Sequence, residues 1–252
     1  MTMMMSMVHS IAIGLMTIFI IVFIRNRIAS MTNDVLYKSI GVVGIPIHEL
    51  SHFIVCLAFM PLGYRVQKLE LYKPSNDDTV GYVQYSYQKT FMSPICNLFI
   101  GIAPLLGGTL AFGFVTWILM PDVYRFVLDN LVSLNAVEFD LNVFLSNIGT
   151  MLGLILSGQQ SVIQTLCWLF ISYSLIVFSV PSRADLSQSK LGALYLAILL
   201  IGLAIVLPGQ IFKGIELLNQ FNLVYLSIAV LHILFFMLTM AYSGLVTFIR
   251  SQ

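Results

Sequence analysis

Apolar residues fill long stretches of this chain instead of alternating with polar ones. Six stretches approach the length of about 20 residues that a helix needs to cross the hydrocarbon core of a bilayer. They are residues 7–24, 39–60, 92–119, 162–180, 186–207 and 221–249. A shorter amphipathic stretch, residues 141–157, is expected either to cross or to lie at the interface. The pattern predicts an all-α polytopic membrane bundle of about six to seven transmembrane helices.

One polar segment has a different period. Residues 63–88 contain two runs, RVQKLELY and YVQYSY, separated by PSNDDTVG. Alternation with Tyr and Val is typical of strands, and Pro, Ser, Asn, Asp and Gly are typical of turns. We therefore expect a β-hairpin over about 63–88. Residues 121–140 are expected to form a polar connection with an amphipathic helical piece.

Composition agrees with a membrane protein. Hydrophobic residues make up 59% of the chain, charged residues 9%, and the mean hydropathy is +0.95. A net charge of +1 gives no basic field for nucleic acid. The three cysteines lie far apart in apolar runs, which argues against a disulfide framework or a zinc knuckle. Since there is no internal repeat or linker, residues 1–252 are interpreted as one membrane-embedded domain.

Positive charges give an interpretation of the orientation. Arg25, Arg27 and Lys38 place the first loop in the cytoplasm, as does Arg250 for the C-terminus. The hairpin would then lie outside, although it carries basic residues of its own. This orientation therefore holds only if the hairpin dips back into the membrane. We also expect residues 7–24 to be a retained span, because no positive residue precedes them.

The pentad HELSH, residues 48–52, places two histidines and a glutamate inside the apolar stretch 39–60. Residues i and i+4 of a helix share one face, so His48 and His52 can bind one metal ion. Glu49 is then placed to take a proton from a water on that ion. A glutamate in mid-membrane costs roughly 2.5–3.5 kcal/mol on insertion scales, which favours a functional role. His9 and His232 stand alone and are interpreted as structural.

A catalytic zinc site needs a third protein ligand. Most acidic residues fall in turns or polar connections, where solvated carboxylates are the ordinary interpretation; these are Asp77, Asp78, Asp122, Asp129, Glu138, Asp140 and Glu216. Asp185 differs because it follows Pro181 and Ser182 at the start of a span, where helix capping is its alternative role. Asp185 meets HELSH, in the first half of its span, only if both spans run in the same direction. That condition predicts that 141–157 crosses the membrane, or that a neighbour such as 92–119 does not cross simply.

These features resemble the site-2-protease-like intramembrane zinc metalloproteases, especially their small bacterial branch. HELSH, the hairpin after it, NLFIGIAPLLGG at 97–108 and PSRAD at 181–185 occur in the order found in that family. The resemblance implies that His48, His52 and Asp185 bind Zn²⁺ and that Glu49 activates water. Many members have Leu-Asp-Gly at the third ligand, where this chain has Arg183-Ala184-Asp185-Leu186.

The expected function is a zinc-dependent endopeptidase that cleaves a membrane protein substrate, in an integral protein of the bacterial cytoplasmic membrane. An edge of the hairpin, at Tyr82 and Val83, would hold an unwound substrate, or the hairpin simply caps the bundle. Asn97 and Arg183 are further substrate-binding candidates, for which an interhelical hydrogen bond and a marker of the cytoplasmic loop are the alternatives. Two other functions remain open: a transporter with an ion path through HELSH, and a catalytically silent zincin relative.

Overall fold

The computed structural model describes residues 2–73, 80–131, 141–157 and 160–206, together with 228, 230–237 and 239–244. The described part is mostly helical, with one two-stranded antiparallel sheet. The helices are α1 (Thr2–Met31), α2 (Asp34–Ala58), α3 (Ser93–Leu119), α4 (Pro121–Phe126), α5 (Leu141–Leu156), α6 (Val162–Phe178) and α7 (Arg183–Val206). The strands are β1 (Arg65–Glu70) and β2 (Tyr82–Ser86).

Among the described helices, four are long and apolar enough to cross a membrane. They contain the spans Ala12–Met31, Asp34–Ala58, Ser93–Leu119 and Arg183–Leu203. The 16-residue α5 and the 17-residue α6 are apolar but shorter. The prediction of a helical protein with apolar helices of membrane-spanning length is therefore confirmed, and the count of six to seven spans stays a prediction.

The predicted hairpin is also confirmed, since β1 and β2 pair with Arg65 opposite Ser86 and Glu70 opposite Tyr82. Parts of several predictions lie outside the described residues: the hairpin turn with Asp77 and Asp78, residues 132–140 with Glu138 and Asp140, Glu216, and most of 221–249.

The chain forms two compact units. The first comprises Met1–Asn33, Gly113–Phe170 and Ala204–Gln252, and the second comprises Asp34–Phe112 and Ile171–Leu203. In the first unit, the buried Trp168 donates to Thr116 Oγ1 at 3.0 Å, and Gln164 donates to the carbonyl of Leu119 at 2.8 Å. The first turns of α6 therefore lie antiparallel to the end of α3. That 1–252 is a single domain stays a prediction.

In the second unit, the backbone hydrogen bonding of α2 is interrupted just before HELSH. The N–H of Gly44 donates to Ser174 Oγ at 2.8 Å, and the Ser174 hydroxyl donates to the carbonyl of Ile40. Pro46, two residues further on, has no N–H to give. A β-carbon added at Gly44 would overlap the backbone oxygen of Ser174. A side chain inserted into the helix ladder in this way is a common cause of kinks, and here it lets α6 pack directly on the backbone of α2.

Contacts along the helices give their directions. Ser174 lies against Ile40 and Gly44, and the next turn, at Phe178, lies against Gly44 and His48. The end of α6 therefore runs in the same direction as α2.

Helix α3 runs in the opposite direction to α2. A β-carbon at Gly107 would overlap Ser51, and further along α2 Cys56 packs in one buried cluster with Cys96. In turn, α7 is antiparallel to α3, because Gly101 lies against Asp185 and Gly192 lies against Pro94. Helix α7 thus runs in the same direction as α2.

The shared direction of α2 and α7 is the one expected from the sequence if Asp185 meets HELSH. It arises because α6 and α7 run in the same direction on either side of the break at 179–182. Of the neighbouring segments, it is therefore 162–180 and not 92–119 that departs from a simple alternation of direction. The placement of HELSH in the first half of its span was wrong, because α2 begins at Asp34 and not at 39. HELSH lies in its second half.

The hairpin folds back alongside α2. Tyr64, just before β1, packs with Cys56 near the end of α2. Gly81, just before β2, lies against Glu49, and the hydroxyl of Tyr72, beyond β1, donates to the carbonyl of Lys38 at 2.8 Å. The hairpin therefore returns along most of α2, as the interpretation of the orientation requires.

The face of the hairpin that points away from α2 is polar. Lys68 lies opposite Gln84 in the sheet, and its ammonium lies 4.9 Å from the centre of the Tyr82 ring and 3.6 Å from Glu70. Irregular or edge-strand backbone at membrane depth is tolerated only where protein covers it or where it lines water. Charged side chains facing lipid would cost about 2.5–3.5 kcal/mol each. We therefore expect this face to meet water.

We predict that Lys68→Cys, in a Cys167→Ser background, reacts readily with a membrane-impermeant thiol reagent. The matched control is Ile198→Cys on α7, because the exposed fractions are similar, 58% for the Lys68 side chain and 60% for Ile198. Ile198 belongs to an apolar span and should not react. Labelling is measured by mass spectrometry on vesicles of both orientations. Equal, slow labelling of the two positions would contradict water contact at the hairpin.

Candidate metal centre

Three side chains of the second unit converge on one point. The Nε2 atoms of His48 and His52 lie 3.2 Å apart. The carboxylate of Asp185 lies 3.3 Å from His52 Nε2 through Oδ1 and 3.5 Å from His48 Nε2 through Oδ2. The i, i+4 spacing on α2 brings the imidazoles together, and the first turn of α7 supplies the carboxylate. This group could hold a metal ion.

Main-chain carbonyl groups fix both imidazole rings. His48 Nδ1 lies 2.7 Å from the carbonyl oxygen of Phe178, and His52 Nδ1 lies 2.8 Å from that of Ile100. A carbonyl oxygen can only accept, so each Nδ1 carries the hydrogen and donates it. In the neutral rings, both Nε2 lone pairs then point towards each other and towards the carboxylate. Three electron-rich atoms at this separation are stabilised by a positive charge between them, either a proton or a metal ion.

The spacing fits a tetrahedral ion. Zinc binds imidazole nitrogen and carboxylate oxygen at about 2.0–2.2 Å, so two ligand atoms of a tetrahedral site are about 3.3 Å apart. The 3.2 Å between the two Nε2 atoms and the 3.3 Å from His52 Nε2 to Asp185 Oδ1 match that edge. The 3.5 Å distance from His48 Nε2 is to the other carboxylate oxygen, Oδ2. Three protein ligands leave a fourth position, as in catalytic sites.

Asp185 also caps its own helix. The N–H of Ser182 donates to Asp185 Oδ2 at 2.7 Å, and the N–H of Asp185 lies 3.2 Å from Ser182 Oγ. This reciprocal pair is the arrangement of a capping box. The capping role and the metal role are therefore compatible, because the Ser182 bond holds the carboxylate in place while Oδ1 stays directed at His52.

Glu49 is buried, with 9% of its surface exposed, beside the two histidines. The start of β2 lies directly over it, since a β-carbon added at Gly81 would lie 3.0 Å from Glu49 Cγ. The same β-carbon would lie 2.9 Å from Ile45 Cγ2 and 2.8 Å from the Leu71 carbonyl oxygen. Only glycine lets the hairpin approach α2 this closely, so the hairpin backbone confines the Glu49 side chain.

Asn97 lies outside the group of metal ligands, in a buried polar network. Its Oδ1 accepts from the Tyr64 hydroxyl at 2.9 Å, and its Nδ2 donates to the Tyr87 hydroxyl at 2.9 Å. The Tyr64 and Tyr87 rings stack with centroids 4.9 Å apart. Both ends of the amide thus tie α3 to the hairpin, and substrate binding by Asn97 stays a prediction.

The other substrate-binding candidates lie on β2 and at the start of α7. Tyr82 and Val83 are half-buried on β2, opposite Glu70 and Leu69, and Arg183 is exposed at the first residue of α7. Their roles stay predictions as well.

Tyr85 links the hairpin to α7. Its hydroxyl donates to Gln188 Oε1 at 2.6 Å, one turn after Asp185. Partial burial raises the pKa of Tyr85 above its usual value, helped by the nearby Cys56, Tyr87 and Asp185, so the phenol keeps its proton. Sequence patterns did not single out Tyr85, Gly81 or the two carbonyl groups, because backbone acceptors and packing glycines carry no side-chain signal.

We predict that Gly44→Ala weakens zinc binding about 10–100-fold, the usual cost of losing a group that orients a metal ligand. The added methyl group would push α6 away from α2 and draw the Phe178 carbonyl from His48. Zinc affinity is measured by competition with a chromogenic chelator. Gly113→Ala is the control, since a β-carbon there meets nothing within 4 Å. Equal affinities in the two variants, with helix content unchanged, would contradict the role of the Phe178 contact.

Comparison with models of protein families, with curated protein sequences and with solved structures finds no match for this chain.

Proposed function

We propose that this protein is a zinc-dependent endopeptidase that hydrolyses peptide bonds of a membrane protein within or near the bilayer. One observation carries the proposal: His48, His52 and Asp185 present ligand atoms that lie within 4.8 Å of one another, with Glu49 buried beside them. The resemblance of the chain to site-2-protease-like enzymes supports the same function.

Each residue of the site has its own role in the proposed reaction. His48 and His52 would hold Zn²⁺ through Nε2, with Asp185 as the third ligand. Zinc held there would polarise a peptide carbonyl and lower the pKa of a water molecule towards neutrality. Glu49 would take a proton from the water that attacks the carbonyl carbon and give a proton to the leaving amine nitrogen.

The hairpin is proposed to bind the substrate. A transmembrane helix hides its peptide groups in its own hydrogen bonds, so the cleaved segment must unwind. Each strand of the two-stranded sheet has one paired edge among the described residues. An unwound segment could add to a remaining edge, for example at Tyr82 and Val83, as a further strand.

The membrane arrangement is part of the proposal. The four candidate spans, together with α5, α6 and the apolar Val230–Gly244 segment, would give about six to seven crossings or partial crossings. The positive residues of the first loop then place that loop on the cytoplasmic side. We propose the bacterial cytoplasmic membrane as the location.

We predict that Glu49→Gln lowers the rate of peptide hydrolysis about 10²–10⁴-fold, the usual contribution of a general base. The variant should keep its zinc, because Glu49 lies outside the ligand group. The assay co-reconstitutes the protein with a panel of tagged single-span substrates that carry helix-destabilising residues, and follows their fragments. Asp34→Asn is the control, because its exposed carboxylate pairs with Lys38 at the start of the same helix.

Three results would contradict the proposal. Cleavage that persists in Glu49→Gln would exclude the glutamate as the base. Zinc-dependent ion flux without any cleavage by the wild type would favour a transporter. Zinc binding with neither cleavage nor flux would favour a catalytically silent relative.

A further inference from the structure

The sequence of α3 explains why the carbonyl group of Ile100 can accept a hydrogen bond from His52. In a regular α-helix, each carbonyl accepts the N–H of the residue four positions later. Four positions after Ile100 stands Pro104, which lies inside α3 and has no N–H. The donor that the helix would supply is therefore missing, and His52 Nδ1 lies 2.8 Å from the Ile100 oxygen in its place.

The proline ring adds a second effect. A carbonyl oxygen has two lone pairs, so a missing helix donor alone would not direct it to His52. The ring of a proline inside a helix also collides with the carbonyl four residues earlier and turns it away from the helix axis. Both effects favour a bond from outside the helix, in agreement with the 2.8 Å between His52 Nδ1 and the Ile100 oxygen.

The other histidine is held in a related way. The residue four positions after Phe178 is Ser182, whose N–H donates to Asp185 Oδ2 at 2.7 Å. The Phe178 carbonyl accepts from His48 Nδ1 at 2.7 Å. Both imidazoles therefore use carbonyl groups whose helical donor is absent or diverted.

We propose that Pro104 is a positioning residue of the metal centre. By freeing the Ile100 carbonyl, it fixes the hydrogen of His52 on Nδ1 and directs Nε2 to the metal. The inference rests on the metal centre of the proposed function and not on peptide hydrolysis. It also explains why α3 keeps a proline in its interior, where proline opposes helix formation.

The test is Pro104→Ala, which gives residue 104 an N–H that competes for the Ile100 oxygen. We expect zinc affinity, measured by chelator competition, to fall about 10–100-fold. The thermal unfolding temperature of the metal-free protein should stay the same or rise, because α3 regains a hydrogen bond. If Pro104 only stabilised the fold, Pro104→Ala would lower both the zinc affinity and the unfolding temperature.

A second readout follows the imidazole directly. Nitrogen-15 NMR of histidine-labelled, metal-free protein should show the His52 hydrogen on Nδ1 in the wild type and a mixture of both tautomers in Pro104→Ala. Pro94→Ala is the control, because Pro94 lies in the first turn of the same helix, where N–H groups have no intrahelical acceptor. The control should change neither the affinity nor the tautomer.

Unchanged zinc affinity and an unchanged His52 tautomer in Pro104→Ala would overturn the inference. A loss of affinity matched by an equal loss of stability in the metal-free protein would overturn it too. If the wild type binds no zinc, the metal centre of the proposed function fails. The tautomer comparison then still decides whether Pro104 positions His52.

Discussion

The candidate metal centre depends on two backbone carbonyl groups that are not used by their own helices. Imidazole rings in a helix can rotate and can carry their hydrogen on either nitrogen, so two histidines alone do not define a ligand pair. The bonds from His48 to Phe178 and from His52 to Ile100 remove that freedom. A regular helix already uses each carbonyl group for its own bonds, so a carbonyl that lacks its helical donor is the better acceptor for a histidine. Pro104 in α3 and the break between α6 and α7 supply such carbonyl groups.

The sequence predicted the parts of the structure that depend on short-range periodicity. The i, i+4 spacing placed His48 and His52 on one face, and alternation predicted the hairpin. The directions of the helices and their heights relative to one another depend on packing between distant segments, and here the predictions from sequence were wrong. They assigned the shared direction of α2 and α7 to a crossing at 141–157 or to a neighbour such as 92–119, because nothing local shows that Ser174 inserts into α2 or that α7 continues in the direction of α6. The interpretation of Asp185 as either a cap or a ligand was too narrow, since one carboxylate serves both contacts.

The hairpin connects the membrane environment to the chemistry. Its inner side approaches α2 closely enough for Gly81 to confine Glu49, while its outer side carries Lys68 and Glu70. Unpaired strand edges and charged side chains are costly in lipid, so the same element that covers the glutamate favours a path for water. A hydrolytic site at this depth needs such a path, because water is one of the reactants.

Metal content tests the central claim most directly. Detergent-purified protein is supplemented with zinc, freed of excess and measured by mass spectrometry as wild type, His52→Ala, Asp185→Ala and the surface control Asp122→Asn, whose carboxylate lies 4.0 Å from Arg125. The account predicts one zinc ion per chain in the wild type and the control, and its loss in the other two variants. Zinc retained in Asp185→Ala would contradict the ligand set, and its absence from the wild type would contradict the metal centre itself.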